Sequence, residues 1–292
     1  MIYDIRHITS YSYESPVNSA ICSLRLSPRE GGGQHVVDSG IEIAPVPATR
    51  RERIDFFGNT VTTIVVEEAH RELRVTSLSR VDVHREQQPH AELTPTWEDT
   101  RQTATMFTAL DSRSPAHHIF PTRLVPLYAP ATDYAAASFA QGRPILSGAI
   151  DLMQRIHKDF RYDPKATLIS TPLSDAFEAR GGVCQDFAHI MIAGLRGLGL
   201  PACYVSGYIR TVQPEGKPRL EGADASHAWV RVWCGEGAGW LGLDPTNALQ
   251  VNDDFVEVAI GRDYSDVAPL DGVILISGKQ TLKVSVDVKP VG

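Results

Sequence analysis

A chain of 292 residues exceeds what one small core needs and accommodates two domains. Its formal charge of −7 argues against a nucleic-acid partner and against an anionic membrane surface. No apolar run reaches the roughly 20 residues of a membrane span, and Met1 to Arg6 lacks the charged-then-apolar order of a signal peptide, so the cytoplasm is the expected compartment.

From Ile2 to about Val83 apolar and polar residues alternate, as in Ile41-Glu42-Ile43 and Thr60-Val61-Thr62-Thr63-Ile64, with Pro and Gly clusters between runs. That period of two predicts antiparallel strands, and several of them without helical periodicity predict a β-sandwich over residues 1–84. Residues 85–144 are rich in Pro, Gln, His, Thr and Ser and read as a linker with one short helix. The adjacent His117 and His118 fall there, and without a partner Asp or Cys at ligand spacing they read as solvated surface rather than a metal site.

A second texture fills residues 145–292. Ser147 is placed to cap a helix whose apolar stripe is Ile150, Met153, Ile156 and Phe160. A short helix over 173–178 follows, then a longer one from Cys184 to Leu198 that Gly199 and Pro201 stop. Strands are expected at 204–209, 228–233, 240–243, 273–276 and 282–288. Helices first and antiparallel strands afterwards make an α+β domain.

The four cysteines, Cys22, Cys184, Cys203 and Cys234, are scattered without a CxxC pair, so neither a disulfide framework nor a zinc knuckle is indicated. Cys184 stands apart because it opens a helix directly after Gly181-Gly182. The free amides and positive dipole end of that first turn favour a thiolate, and the same amides can hold an oxyanion. Phe187 and Met191 put Cys184 on the core-facing stripe, where burial alone would keep the thiol protonated. An imidazolium partner resolves the conflict, and Ser226-His227-Ala228-Trp229 offers one at a strand start.

Asp244, in Leu243-Asp244-Pro245-Thr246-Asn247, ends the next strand. The turn from Gly235 to Gly239 joins the two strands as a hairpin and brings His227 beside Asp244, which would orient the ring and stabilise its charged form. A lone Cys on an apolar helix face is more often a small core residue than a nucleophile, and one His on a strand is usually structural. Helix-start Cys, strand-start His and strand-end Asp together are far more restrictive.

The segments Gly182-Val183-Cys184-Gln185-Asp186-Phe187-Ala188-His189, Leu200-Pro201 with Tyr204-Val205-Ser206-Gly207-Tyr208, Ser226-His227-Ala228-Trp229 and Asp244-Pro245-Thr246-Asn247 resemble the transglutaminase-like core of bacterial proteins. The likeness covers about residues 145–290, including Gly261 to Val267, and the first 83 residues resemble the β-rich region that accompanies this core. It implies a papain-like, transglutaminase-like α+β core with Cys184 as nucleophile, His227 as general base and acid, and Asp244 as orienting residue. Cys203 departs from the resemblance, standing where many relatives carry Arg.

Among neighbouring polar residues, His189 lies roughly 140° around the helix from Cys184, too far to be its base. Asp186 suits the helix dipole and reads as structural. Gln185, Tyr208 and Asp224 flank the motifs as candidates for substrate contact, with independent loop or strand roles equally open; the Cys184 amide is the first oxyanion donor, and the sequence does not assign the second, for which Tyr162 is a candidate. The expected reaction is acyl transfer on a peptide, isopeptide or carboxamide through a thioester, with hydrolysis favoured over amine transfer. Hydrolysis of this kind implies no metal and no organic cofactor. A non-catalytic scaffold is the competing class, and the intact set of Cys, His and Asp argues against it.

Overall fold

The computed structural model describes residues 1–210, 226–275 and 278–291. Six strands come first: β1 (Ile2–Val17), β2 (Ala20–Leu24), β3 (Gln34–Ala44), β4 (Thr49–Ile54), β5 (Thr60–Val66) and β6 (His70–Val83). Along β1 the alternation places Tyr3, Ile5, His7 and Thr9 inward. Two four-stranded sheets face one another, and Val17, Cys22, Leu24, Ile41, Ile64, Leu73 and Val75 form the core between them. The β-sandwich expected from the sequence is therefore present.

Its composition differs from that expectation at the other end of the chain. The last two strands, β14 (Leu270–Ile274) and β15 (Gln280–Val291), were expected in the α+β domain, yet they complete the sandwich. β15 pairs antiparallel with β1 from Ile2↔Val291 to Tyr13↔Gln280, and β14 pairs with β2. Alternation in sequence specifies a strand but not its partner, and this pairing spans nearly the whole chain.

Between the sandwich and the core, residues 85–144 hold two α-helices rather than one, α1 (Trp97–Thr105) and α2 (Ala129–Ala136). Thr96 caps α1 by accepting from Asp99 N–H at 3.2 Å. His118 is not solvated surface: it is 2% exposed, its ring packed against Phe57 and Trp240, and burial first, then nearby arginines, push its pKa down to about 3.

The α+β core contains α3 (Ile145–Asp159), β7 (Arg161–Tyr162), α4 (Leu173–Ala179), β8 (Gly181–Gly182), α5 (Cys184–Gly197), β9 (Ala202–Ile209), β10 (Ser226–Trp233), β11 (Trp240–Asp244), β12 (Leu249–Gln250), β13 (Phe255–Gly261) and α6 (Tyr264–Val267). Ser147 lies inside α3, which begins two residues earlier, and its hydroxyl donates to Glu92 Oε1 at 2.8 Å instead of capping the helix.

The antiparallel sheet runs β12-β11-β10-β9-β13. One face carries α5, with Phe187, Ile190, Met191 and Leu195 against Ala202, Val230 and Leu243. Farther along β9 the sheet meets the sandwich, where Tyr208, Val256 and Val258 share a core with Tyr3, Ile5, Val286 and Val288. All seven residues of β13 are buried, so it lacks the alternation that would have marked it in sequence.

β13 is also a sheet edge, and the sandwich covers it with side-chain amides. Gln34 donates to Glu257 O at 2.9 Å and accepts from Glu257 N–H at 2.8 Å, while Asn59 makes the same pair of bonds with Ile260, both at 2.8 Å. These amides satisfy the backbone groups that an adjacent strand would otherwise take.

Candidate active site

Cys184 begins α5, and its geometry is fixed from the turn before it. Val183 is extended (φ −109°, ψ −179°) and its N–H donates to Asp186 Oδ2 at 2.8 Å, satisfying a donor at the helix start. The Thr167 hydroxyl donates to the same oxygen at 2.6 Å. Burial pushes the Asp186 carboxyl above its usual range against these two hydrogen bonds, which pull it down. A Cβ on Gly182 would stand 2.8 Å from Cβ and Cγ of Asp186, so only glycine leaves room for this carboxylate. As the first helical residue, Cys184 keeps its N–H free of an intrahelical acceptor, and its side chain is half-buried.

His227 opens β10, two residues before Trp229, and the register Val230↔Leu243 sets Asp244 opposite Trp229. His227 and Asp244 are thus diagonal neighbours on one sheet face, within reach of each other. His227 Nε2 donates to Asp244 Oδ2 at 2.8 Å. Asp244, fully buried, also accepts from Asn247 Nδ2 at 2.7 Å, Thr246 N at 2.9 Å and Asn247 N at 3.3 Å. Four donors compensate a carboxylate that would otherwise be costly to bury.

With Nε2 committed to Asp244, the ring presents Nδ1 to the sulfur, and the Cys184 side chain hydrogen-bonds His227. Burial opposes the charged ring most strongly. The hydrogen bonds and charges of Asp244 and Cys184 outweigh it and raise the imidazole pKa to about 10. The charged form of the ring is thus favoured by its place between a sulfur and a carboxylate. Trp229 and Phe255 stand against the ring at 6.2 and 6.4 Å between centroids. Gly207 makes room for that indole, since a Cβ there would come within 2.5 Å of it.

Three of the residues singled out in sequence, Cys184, His227 and Asp244, are thus assembled in one place. Tyr162 is beside them, 53% exposed, with its phenol pKa raised by burial and by the Cys184 charge. Gln185 lies at the rim, its Nε2 donating to Ile169 O at 3.5 Å. Tyr208 is not at the site: it is buried in the core shared with the sandwich, facing away from His227, whose partner across the strands is Gly207, and its hydroxyl is 2.9 Å from His7 Nδ1. Adjacent strand residues face opposite sides, which the motif alone did not resolve. Asp224 lies outside the described residues.

His189 is buried away from the sulfur, and its Nε2 accepts from Tyr264 N–H at 3.2 Å; burial above all lowers its pKa to about 4, so the ring is neutral. The sequence reading gave no role to Asn247 or Tyr264. Asn247 stands three residues after Asp244 in a turn where its amide returns to that carboxylate, the signal being the Asp-x-x-Asn spacing. Tyr264 packs on the same core as Cys184, edge-on to Tyr204 at 6.3 Å, and only the fold brings it there. Among the described residues no group of three or more His, Cys, Asp or Glu side chains converges as a metal site. No helix among them is long and apolar enough to cross a membrane.

Comparison with known proteins sets this geometry in context. Residues 3–82 match the bacterial transglutaminase-like N-terminal region and residues 133–245 match the transglutaminase-like superfamily. An uncharacterized protein of Mycobacterium tuberculosis is 40% identical over 301 residues, covering 99% of this chain and 92% of its own. One from Mycobacterium leprae is 33% identical, covering 97% and 96%. A protein-glutamine gamma-glutamyltransferase of Pseudomonas aeruginosa is 36% identical over 133 residues, 41% of this chain and 19% of that protein. In fold, the chain is similar to the crystal structure of a candidate cysteine protease from Cytophaga hutchinsonii, with TM-score 0.75, 21% identity and coverage of 100% of this chain and 92% of that one.

Proposed function

The chain belongs to the transglutaminase-like superfamily, and on that premise we propose that it is a cysteine-dependent hydrolase acting on a peptide, isopeptide or carboxamide bond. The observation that carries this reading is His227, held by Asp244 at 2.8 Å and hydrogen-bonded to Cys184, with its pKa raised to about 10. Such a ring stays protonated at neutral pH, so it stabilises a Cys184 thiolate and holds the proton that a leaving amine requires.

The thiolate adds to the substrate carbonyl, and the developing oxyanion meets the free N–H of Cys184. Collapse of this adduct breaks the C–N bond as His227 passes its Nδ1 proton to the departing amine. The neutral ring then takes a proton from water, whose oxygen attacks the thioester. The second collapse expels the thiolate and releases the acid. Asp244 stays ionised throughout and keeps the ring oriented. Water as acceptor is supported by the open side of the site, where Tyr162 and the loop that follows it are exposed, so that among the described residues none on this side shields a thioester from solvent.

Amine transfer is the second reading, favoured by the likeness to the gamma-glutamyltransferase over 133 residues. Incubating wild type and Cys184→Ala with peptide and glutaminyl substrates, with and without a primary amine, decides between them. Hydrolysed product that needs Cys184 and does not diminish in favour of an amine adduct is the expected result. An amine adduct as the main product would establish transfer, and turnover by Cys184→Ala would overturn both readings.

A further inference from the structure

Between Tyr162 and Pro172 the chain bares large apolar side chains beside the nucleophile: Tyr162 is 53% exposed, Leu168 75% and Ile169 59%. Contiguous apolar groups left open on an ordered segment mark a surface that a partner covers. The segment is ordered by its own turns. Ala166 N–H donates to Asp163 O at 3.1 Å, Thr171 N–H to Leu168 O at 2.9 Å, and Leu168 N–H to Thr171 Oγ1 at 2.9 Å, which holds Leu168 and Ile169 at the tip.

The segment is also fastened to the nucleophile's own turn. Asp163 N–H donates to Gly182 O at 2.9 Å, the Thr167 hydroxyl to Asp186 Oδ2 at 2.6 Å, and Gln185 Nε2 to Ile169 O at 3.5 Å. Each anchor on that side is within two residues of Cys184, so the apolar rim is registered to the sulfur. Asp163 and Lys165 cancel in charge, leaving nothing on the segment to select an ionic side chain.

We propose that Tyr162, Leu168 and Ile169 form a specificity rim, and that the substrate is a peptide with bulky apolar side chains beside the bond attacked by Cys184. This inference rests on the function proposed above. Burial of one such side chain against the rim discriminates by about 10-fold or more against a small or charged one, the scale at which apolar pockets select.

The test uses peptidyl chloromethyl ketones that differ only in the two residues nearest the reactive group, Leu and Phe against Ala, Asp and Lys, with labelling of Cys184 read by intact mass. Rates are expressed relative to iodoacetamide, which is too small to engage the rim. Wild type should label about 10-fold faster with Leu and Phe probes, and the preference should collapse in the Leu168→Ser/Ile169→Ser double variant. Equal rates for all probes, or a preference that survives in the variant, overturns the proposal. So does a wild-type dimer in sedimentation that the double variant dissociates, since a second copy would then be what covers the rim. Failure of iodoacetamide to label Cys184 ahead of Cys22, Cys203 and Cys234 is a different result, which overturns the nucleophile itself.

Discussion

His227 Nε2 and Asp244 Oδ2 meet at 2.8 Å inside the protein, with the carboxylate fully buried and the ring 8% exposed. Removing the negative charge while keeping the shape should therefore lower the ring's hold on its proton. Asp244→Asn is expected to reduce kcat/KM by roughly 10³- to 10⁴-fold and to move the alkaline limb of its pH profile below the wild-type position near 10. An alkaline limb in the same place in both proteins would show that Asp244 does not set the ring's charge.

The same ring makes stability depend on pH. His227 binds its proton with a pKa of about 10 when folded against 6.5 for the free side chain, but the thiolate it stabilises has given one up, so the folded state holds more protons than the unfolded one only above about pH 8.5, where a free thiol ionises. That contribution is lost as pH rises through 10. Urea midpoints of wild type should fall between about pH 8.5 and pH 10, and more steeply than those of His227→Gln. Parallel slopes would count against a raised pKa.

Gly182→Ala inserts a methyl group 2.8 Å from two carbons of Asp186. The carboxylate must move, the Val183 and Thr167 hydrogen bonds go with it, and the first turn carrying Cys184 shifts. A destabilisation of about 1–3 kcal/mol is expected, together with slower iodoacetamide labelling of Cys184 than in wild type. Unchanged melting and labelling would mean that the turn is not held by Asp186.

Tyr208→Phe separates the core shared with the sandwich from the site. Its hydroxyl lies against His7 at 2.9 Å, so loss should cost about 1–3 kcal/mol through a buried imidazole left short of a partner. The value of kcat/KM should stay within about twofold of wild type, because nothing at Cys184 is touched. A large fall in kcat/KM without loss of stability would return Tyr208 to the substrate surface.

What the sequence made legible was local or pairwise in the hairpin. A cysteine after two glycines, a histidine opening one strand and an aspartate closing the next carried enough order to place Cys184, His227 and Asp244 together. The strand β13 was not legible because both of its faces are covered and its residues do not alternate. Tyr208 was misplaced because a motif does not say which side of a strand its neighbours face. The contribution of Tyr264 depends on α6 folding back beside α5, and the outer loop with Leu168 and Ile169 looks in sequence like an ordinary turn. His118 was misread because the aromatic rings that enclose it, Phe57 and Trp240, come from distant parts of the chain.

The pairing of Ile2 with Val291 and of Leu24 with Leu270 gives the molecule an inverted order of assembly. The sandwich is begun before the α+β core and finished after it, because each of its sheets lacks an edge strand until residues 270–291 have been made. During synthesis β1 and β2 wait with open backbone edges while the α+β core has all of its strands in hand. The α+β half of the chain can thus fold while the sandwich is still incomplete, and a chain cut short before Leu270 would leave that half attached to an unsealed, aggregation-prone sandwich.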